Sequence, residues 1–104
     1  MIAAALVALA LLSPSVNRWE VVEPYNPKLE RMQECETGDL KDPWEANTGN
    51  GYYGGLQFSL KTWRATGGKG YPHQARKLEQ KYRAVILIKK MGYGYTPWPI
   101  CGKR

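Results

Sequence analysis

The sequence predicts a small α+β domain, mainly helical, with one short Gly- and Tyr-rich β lobe. Three observations lead there. Ala75, Leu78, Tyr82, Val85 and Ile86 follow helical spacing. Cap and stop residues bracket two further helical stretches. The segment Asn47–Phe58 carries four glycines and two tyrosines around an Asn50-Gly51 pair that favours a tight hairpin. With 104 residues the chain has room for one domain and a modest core.

The elements follow in chain order. Met1–Leu12 is an uncharged apolar run, too short to cross a bilayer comfortably and matching the apolar core of a signal peptide. No Lys or Arg precedes it, and Ser13–Asn17 is a poor match to a cleavage site. Residues 1–17 are therefore expected to be a signal peptide or a membrane anchor, with a tether through residues 1–12 in the second case. Residues 18–27, with Pro24 and Pro27 and little periodicity, read as a linker to a domain over residues 28–104. Asn26-Pro27 supplies a cap and a first-turn residue, and Leu29 and Met32 mark an apolar helix face that Gly38 ends. After the β lobe, Ser59 caps a short helix, Phe58 and Trp63 form a hydrophobic staple around its start, and Gly67-Gly68 stops it. A longer helix is expected from about His73 to Met91. Gly54-Gly55 marks a close approach of backbone to another segment or to a ligand.

The formal net charge is +6, but eight of the nine acidic residues lie between Glu20 and Glu45, so the C-terminal half is a cation. Such a charge suits anionic wall polymers, lipid headgroups or nucleic acid, and equally a solvated basic helix face. Cys35 and Cys101 make an even count, which in an exported chain favours a disulfide over two free thiols. A bond between them would contribute about 4 kcal/mol by chain entropy. Two Cys and one His, far apart, give no zinc pattern, and neither metal nor cofactor is expected.

Glu36 follows Met32 by four residues and Leu29 by seven, which puts it on the apolar face of its helix. An apolar setting raises a carboxyl pKa, and a carboxylic acid that keeps its proton near neutral pH is what glycoside cleavage needs. A frayed surface glutamate is the plainer alternative. Four Trp and seven Tyr against one Phe make a surface-recognition composition, suited to sugars or nucleobases. Trp63 and Trp98 fit core or ligand platform alike, and Tyr82 fits core.

Cys35-Glu36-Thr37-Gly38, Asn47 to Ser59, Thr62-Trp63, Gly67-Gly68, Glu79-Gln80 and Trp98-Pro-Ile-Cys101 together resemble the catalytic domain of the resuscitation-promoting factors of actinobacteria. The likeness covers Leu29 to Cys101. It implies a lysozyme-like α+β domain, a catalytic glutamate at Glu36 and a disulfide joining Cys35 and Cys101. It also implies a glycan groove, with Asn50, Tyr53, Gln57, Thr62, Trp63, Gln80 and Trp98 as candidate contacts. The substrate implied is peptidoglycan, cut at the β-1,4 bond between N-acetylmuramic acid and N-acetylglucosamine, by a secreted or cell-surface monomer. The family offers no second carboxylate as nucleophile, although Asp39, Asp42 and Glu45 stand near in this sequence. Two departures from the family pattern are the run Asp39–Pro43 before Trp44 and the extended Tyr95-Thr96-Pro97. The alternative functions are a wall-binding module that no longer cuts and, less favoured by export, a nucleic-acid binder.

Overall fold

The computed structural model describes residues 17–104. Apart from Asn17, the segment read as signal peptide, anchor or tether lies outside the described residues. Among those described, no helix is long and apolar enough to cross a membrane.

Among the described residues four α-helices make up the frame: α1 (Arg18–Val22), α2 (Asn26–Thr37), α3 (Leu60–Ala65) and α4 (Lys77–Lys90). The stretch read as a linker is helical. Asn17 caps α1, its side chain accepting from the amides of Trp19 and Glu20. A 3-10 turn over Glu23–Tyr25 then leads directly into α2. Pro24 and Pro27 each stand in the first turn of a helical element, where a missing N–H costs nothing. Asn26 is the first residue of α2 rather than its cap. Val22 is fully buried, and α1 packs along α4, where the Arg18 guanidinium bonds Glu79 and covers the Tyr82 ring.

The expected α+β class is not what forms. Among the described residues the Gly- and Tyr-rich segment makes no strand, only two isolated antiparallel bridges, Asn47 to Tyr53 and Tyr53 to Phe58, so the domain is essentially all-helical. The reason lies in its dihedrals. Gly49, Gly51, Gly54 and Gln57 all take positive φ, so no run of extended residues survives long enough for a ladder.

Ser59 does cap α3, its hydroxyl accepting from the Thr62 amide, and Phe58 meets Trp63 edge-on at 5.2 Å. Gly67 turns the chain at φ 88°, and Gly68 lies so close under the Trp63 indole that a Cβ there would sit 2.3 Å from it. The expected His73–Met91 helix begins later. Pro72–Gln74 is a separate 3-10 turn, Ala75 and Arg76 are extended, and α4 starts at Lys77. Its buried face is also rotated from the one expected. Gln80, Lys81, Ala84, Val85, Leu87 and Ile88 point inward, while Leu78 is exposed.

The core joins Val22, Leu29 and Met32 to Leu56, Phe58, Trp63, Val85, Ile88 and Trp98. Lys81 enters this interior only because its ammonium bonds Asn26 and Glu30, the latter at 2.7 Å. The tail is fixed by a disulfide between Cys35 and Cys101, followed by a 3-10 turn over Cys101–Lys103.

Candidate active site

Glu36 is the penultimate residue of α2 and is half-buried. Burial pushes its carboxyl above the usual carboxylate range, and no neighbouring charge draws it back. Glu30 and Glu79 also lose hydration. Their partners outweigh that loss, with Lys81 and Lys77 holding Glu30 low and Arg18 and Arg83 holding Glu79 low. Glu36 alone among these is left without a cation.

It opens into a cavity of about 590 Å³ whose wall includes Asn50, Tyr52, Gln57, Pro97, Trp98, Pro99, Ile100 and Arg104. Glu36 is the one carboxylate side chain in that wall among the described residues; Asp42 and Glu45 face a different groove of about 770 Å³ beside Trp44 and His73. That groove is larger, but its carboxylates belong to the exposed residues Asp42 and Glu45, whereas Glu36 is half-buried, so the Glu36 cavity is the better candidate for acid chemistry. Among the described residues no group of three or more His, Cys, Asp or Glu could hold a metal ion.

Gln57 in that wall belongs to a turn held by side chains from distant parts of the chain. Thr37, next to Glu36, donates from Oγ1 to the Gly55 carbonyl at 2.9 Å. The Gly55 amide donates to Gln80 Oε1 at 2.9 Å, and Gln80 Nε2 reaches the carbonyls of Trp44 and Ala75, each at 2.9 Å. Trp98 Nε1 donates to the Leu56 carbonyl at 2.9 Å. Tyr53 and Phe58 exchange both backbone bonds at 2.9 Å. With the Gly54 amide donating to the Ala46 carbonyl and the Gln57 amide to the Gly54 carbonyl, every backbone N–H and C=O of Gly54 and Gly55 is bonded although the turn belongs to no sheet.

Gly54 and Gly55 are required by this arrangement. A Cβ on Gly54 would meet Gln80 Oε1 at 2.4 Å, and one on Gly55 would meet the Trp44 indole at 2.4 Å. The close approach expected of this pair is thus to other segments of the protein. Gln57 follows at φ 55°, a left-handed conformation uncommon for a residue with a side chain and costing on the order of 1 kcal/mol. Its amide group is tied on both sides: Nε2 donates to the Gly54 carbonyl at 3.1 Å, and Oε1 accepts from Asn50 Nδ2 at 3.1 Å.

Of the contacts expected from sequence, Asn50, Gln57 and Trp98 come together with Glu36 around the cavity. Trp98 is only 4% exposed, so it forms the floor rather than an open platform. Trp63 and Gln80 have no exposed surface at all; one is core, and the other is the strut beneath the turn. Tyr53 is half-buried and packs on Tyr71 and His73, its ring stacking on the imidazole at 5.4 Å. Thr62 is half-buried in the first turn of α3, and it does not line this cavity. Trp44 is half-buried in the second groove, against Gly55 and under the ammonium groups of Lys77 and Lys81 at 5.2 and 5.5 Å.

Sequence reasoning missed Tyr52, Pro97, Pro99, Ile100 and Arg104. Tyr52 is half exposed at the cavity rim, where the Asn50 side chain accepts its amide at 3.0 Å and sets its direction. The signal for the tail residues was available. Cys35 adjoins Glu36, so a bond to Cys101 necessarily carries the residues just before Cys101 to the same place.

A family model described as a transglycosylase-like domain matches residues 23–101. Resuscitation-promoting factor Rpf of Micrococcus luteus is 51% identical over 75 residues, which is 72% of this chain and 31% of that protein. RpfE of Mycobacterium tuberculosis is 41% identical over 80 residues, 77% of this chain and 44% of that protein. RpfC of Mycobacterium tuberculosis is 42% identical over 77 residues, 74% of this chain and 51% of that protein. The aligned part thus spans about a third to a half of the length of these relatives.

Proposed function

The chain belongs to the transglycosylase-like domain family, and from that premise we propose that it cleaves the glycan strands of bacterial peptidoglycan at the β-1,4 bond following N-acetylmuramic acid, with Glu36 as its single catalytic carboxyl. The observation that carries this reading is the setting of Glu36. It is half-buried, raised in pKa by that burial and placed in a cavity with no second carboxylate side chain in its wall among the described residues.

A glycosidase working with two carboxyls keeps them roughly 5 to 10 Å apart. With one, the same group acts twice. Protonated Glu36 gives its proton to the glycosidic oxygen as the bond from C1 of the muramyl sugar breaks. The resulting carboxylate then takes the proton of the muramyl 6-hydroxyl, whose oxygen closes on C1. The product is a 1,6-anhydro end, no water is consumed, and Glu36 is again protonated. Asn50 and Gln57 offer amide groups to the acetamido and hydroxyl groups of the sugars, and Tyr52 offers a ring face at the rim. Action outside the cytoplasm is the matching location, since a disulfide persists in oxidising compartments.

The test is mass spectrometry of purified peptidoglycan after incubation with the oxidised protein, beside the Glu36→Gln variant. Anhydro-muropeptides that vanish in the variant are expected. Reducing ends would mean that Glu36 activates water instead. No release by a folded sample that still binds the wall would replace the enzyme with a binding module.

A further inference from the structure

We propose that Arg104 is a specificity-determining residue of the Glu36 cavity, its guanidinium receiving a carboxylate carried on the peptide-bearing substituent of the glycan. The inference rests on the reading of this cavity as a site for peptidoglycan glycan. It does not follow from family membership, because Arg104 lies beyond the matched residues 23–101.

The first support is the composition of the wall. Asn50, Tyr52, Gln57 and Trp98 are neutral, suited to acetamido sugars, and Arg104 is the one basic residue among those lining the cavity. With Glu36 protonated for its role as acid, Arg104 has the one charged side chain among those lining the cavity. A planar guanidinium offers a carboxylate two parallel hydrogen bonds, a geometry that no other group in this wall supplies.

The second support is the way the tail is held. Past the disulfide, the Gly102 amide donates to the Trp98 carbonyl at 2.7 Å, and Lys28 Nζ donates to the Gly102 carbonyl at 2.6 Å. Arg104 donates its amide to the Cys101 carbonyl at 3.1 Å and accepts from Arg31 Nε at 3.3 Å. Gly102 admits no side chain, since a Cβ would stand 2.5 Å from the Tyr95 carbonyl oxygen. Two cations of α2 are thus used to dock the backbone of the tail, and this docking brings the third to the cavity.

The third is that the guanidinium is uncommitted. Glu30, which shares a neighbouring groove with it, is paired with Lys77 and Lys81, and among the described residues no ion pair joins Arg104 to Glu34. Arg104 also does not depress Glu36, whose shift has burial as its cause. Arg104 is exposed and stands at the rim of the cavity.

The experiment uses the Glu36→Gln protein, with Arg104 intact or changed to Ala or Lys, and measures binding of soluble disaccharide-peptide fragments by calorimetry. Each fragment is tested with its peptide carboxylates free and after amidation. The free form is expected to bind roughly five- to tenfold more tightly. That ratio should fall to about one in Arg104→Ala, be partly kept in Arg104→Lys and shrink with added salt. A ratio unchanged in Arg104→Ala, a ratio of one in the parent, or no binding of either fragment would overturn the inference. Cleavage of peptidoglycan by the parent chain, assayed alongside, reports separately on the proposed function. An Arg104-dependent ratio without cleavage would sustain the inference and sink the enzyme, and cleavage with an Arg104-independent ratio would do the reverse.

Discussion

Replacing Gln80 by leucine separates a substrate contact from a strut. Gln80 is fully buried and its amide makes three hydrogen bonds, one received from the Gly55 amide and two given to the carbonyls of Trp44 and Ala75. Leucine keeps much of the volume and none of the bonds. The Gly55 amide, buried without a partner, costs about 1 to 3 kcal/mol, and the two carbonyls, only partly buried, add about 0.5 to 1 each. The sum is about 3 kcal/mol, a large part of the roughly 5 to 15 that a domain of this size possesses. Urea unfolding of the oxidised protein should show this as a lower midpoint with an unchanged slope. Peptidoglycan cleavage should fall by at least about tenfold, because the turn that carries Gln57 is released from its place in the wall of the Glu36 cavity and a shift of about 1 Å in such a group costs about a hundredfold. A loss below about 1 kcal/mol together with a raised KM would refute the reasoning and return Gln80 to the set of glycan contacts.

Three further outcomes follow from the same structure. Changing Cys35 and Cys101 together to serine opens a loop with a sequence separation of 66 and should lower stability by about 4 kcal/mol in urea unfolding; a loss under about 1 kcal/mol would contradict the chain-entropy account. Cleavage should decline as pH rises through the raised pKa of Glu36, since the acid must hold its proton, and a pH-rate profile flat to neutrality and above would oppose that role. The same shift sets the sign of a stability effect. The folded chain keeps the Glu36 proton longer than the unfolded chain, so stability falls as pH rises from the ordinary carboxylate range to the raised folded-state value. Glu36→Gln should therefore match the parent in acid and melt at a higher temperature at neutral pH, and a lower neutral Tm would count against the burial argument.

How much of this was legible depended on the range of the interactions. The start of α3 was readable because its devices are local: the Ser59 cap and the Phe58 and Trp63 staple act within five residues. The stops at Gly38 and Gly67 were readable for the same reason. The β lobe was misread because Asn50-Gly51 signals a hairpin locally, whereas the amides of Gly54 and Gly55 and the carbonyls of Gly55 and Leu56 are claimed by Ala46, Gln80, Thr37 and Trp98. Residues 18–27 read as a linker because Pro24 and Pro27 suggest loops until their first-turn positions are known. In α4, polar Gln80 and Lys81 point inward where an apolar pattern favours Leu78, since each finds its partners only in the folded chain, while Tyr82 packs against the core as expected. Of the residues read from motif and face, Glu36, Asn50, Gln57 and Trp98 line one cavity, whereas Trp63 and Gln80 have no exposed surface, because motif membership does not distinguish a residue at the surface of a cleft from one packed beneath it.

That distinction accounts for the way the site is built. Glu36 and Thr37 are consecutive at the end of α2, yet they turn different ways, the carboxyl into the cavity and the hydroxyl onto the Gly55 carbonyl. The helix that presents the acid is thereby bonded to the turn that presents Gln57, while α4 holds the same turn from beneath through Gln80 and the disulfide fixes Trp98 and the tail from the far side. Acid, amides and rim are positioned by three separate elements that converge on the four residues Gly54 to Gln57. A domain this small cannot rely on a deep core to hold a cleft open at fixed width. Bonding the turn at Gly54, Gly55 and Leu56 does so instead, and it ties the left-handed strain at Gln57 to the geometry that the proposed reaction needs.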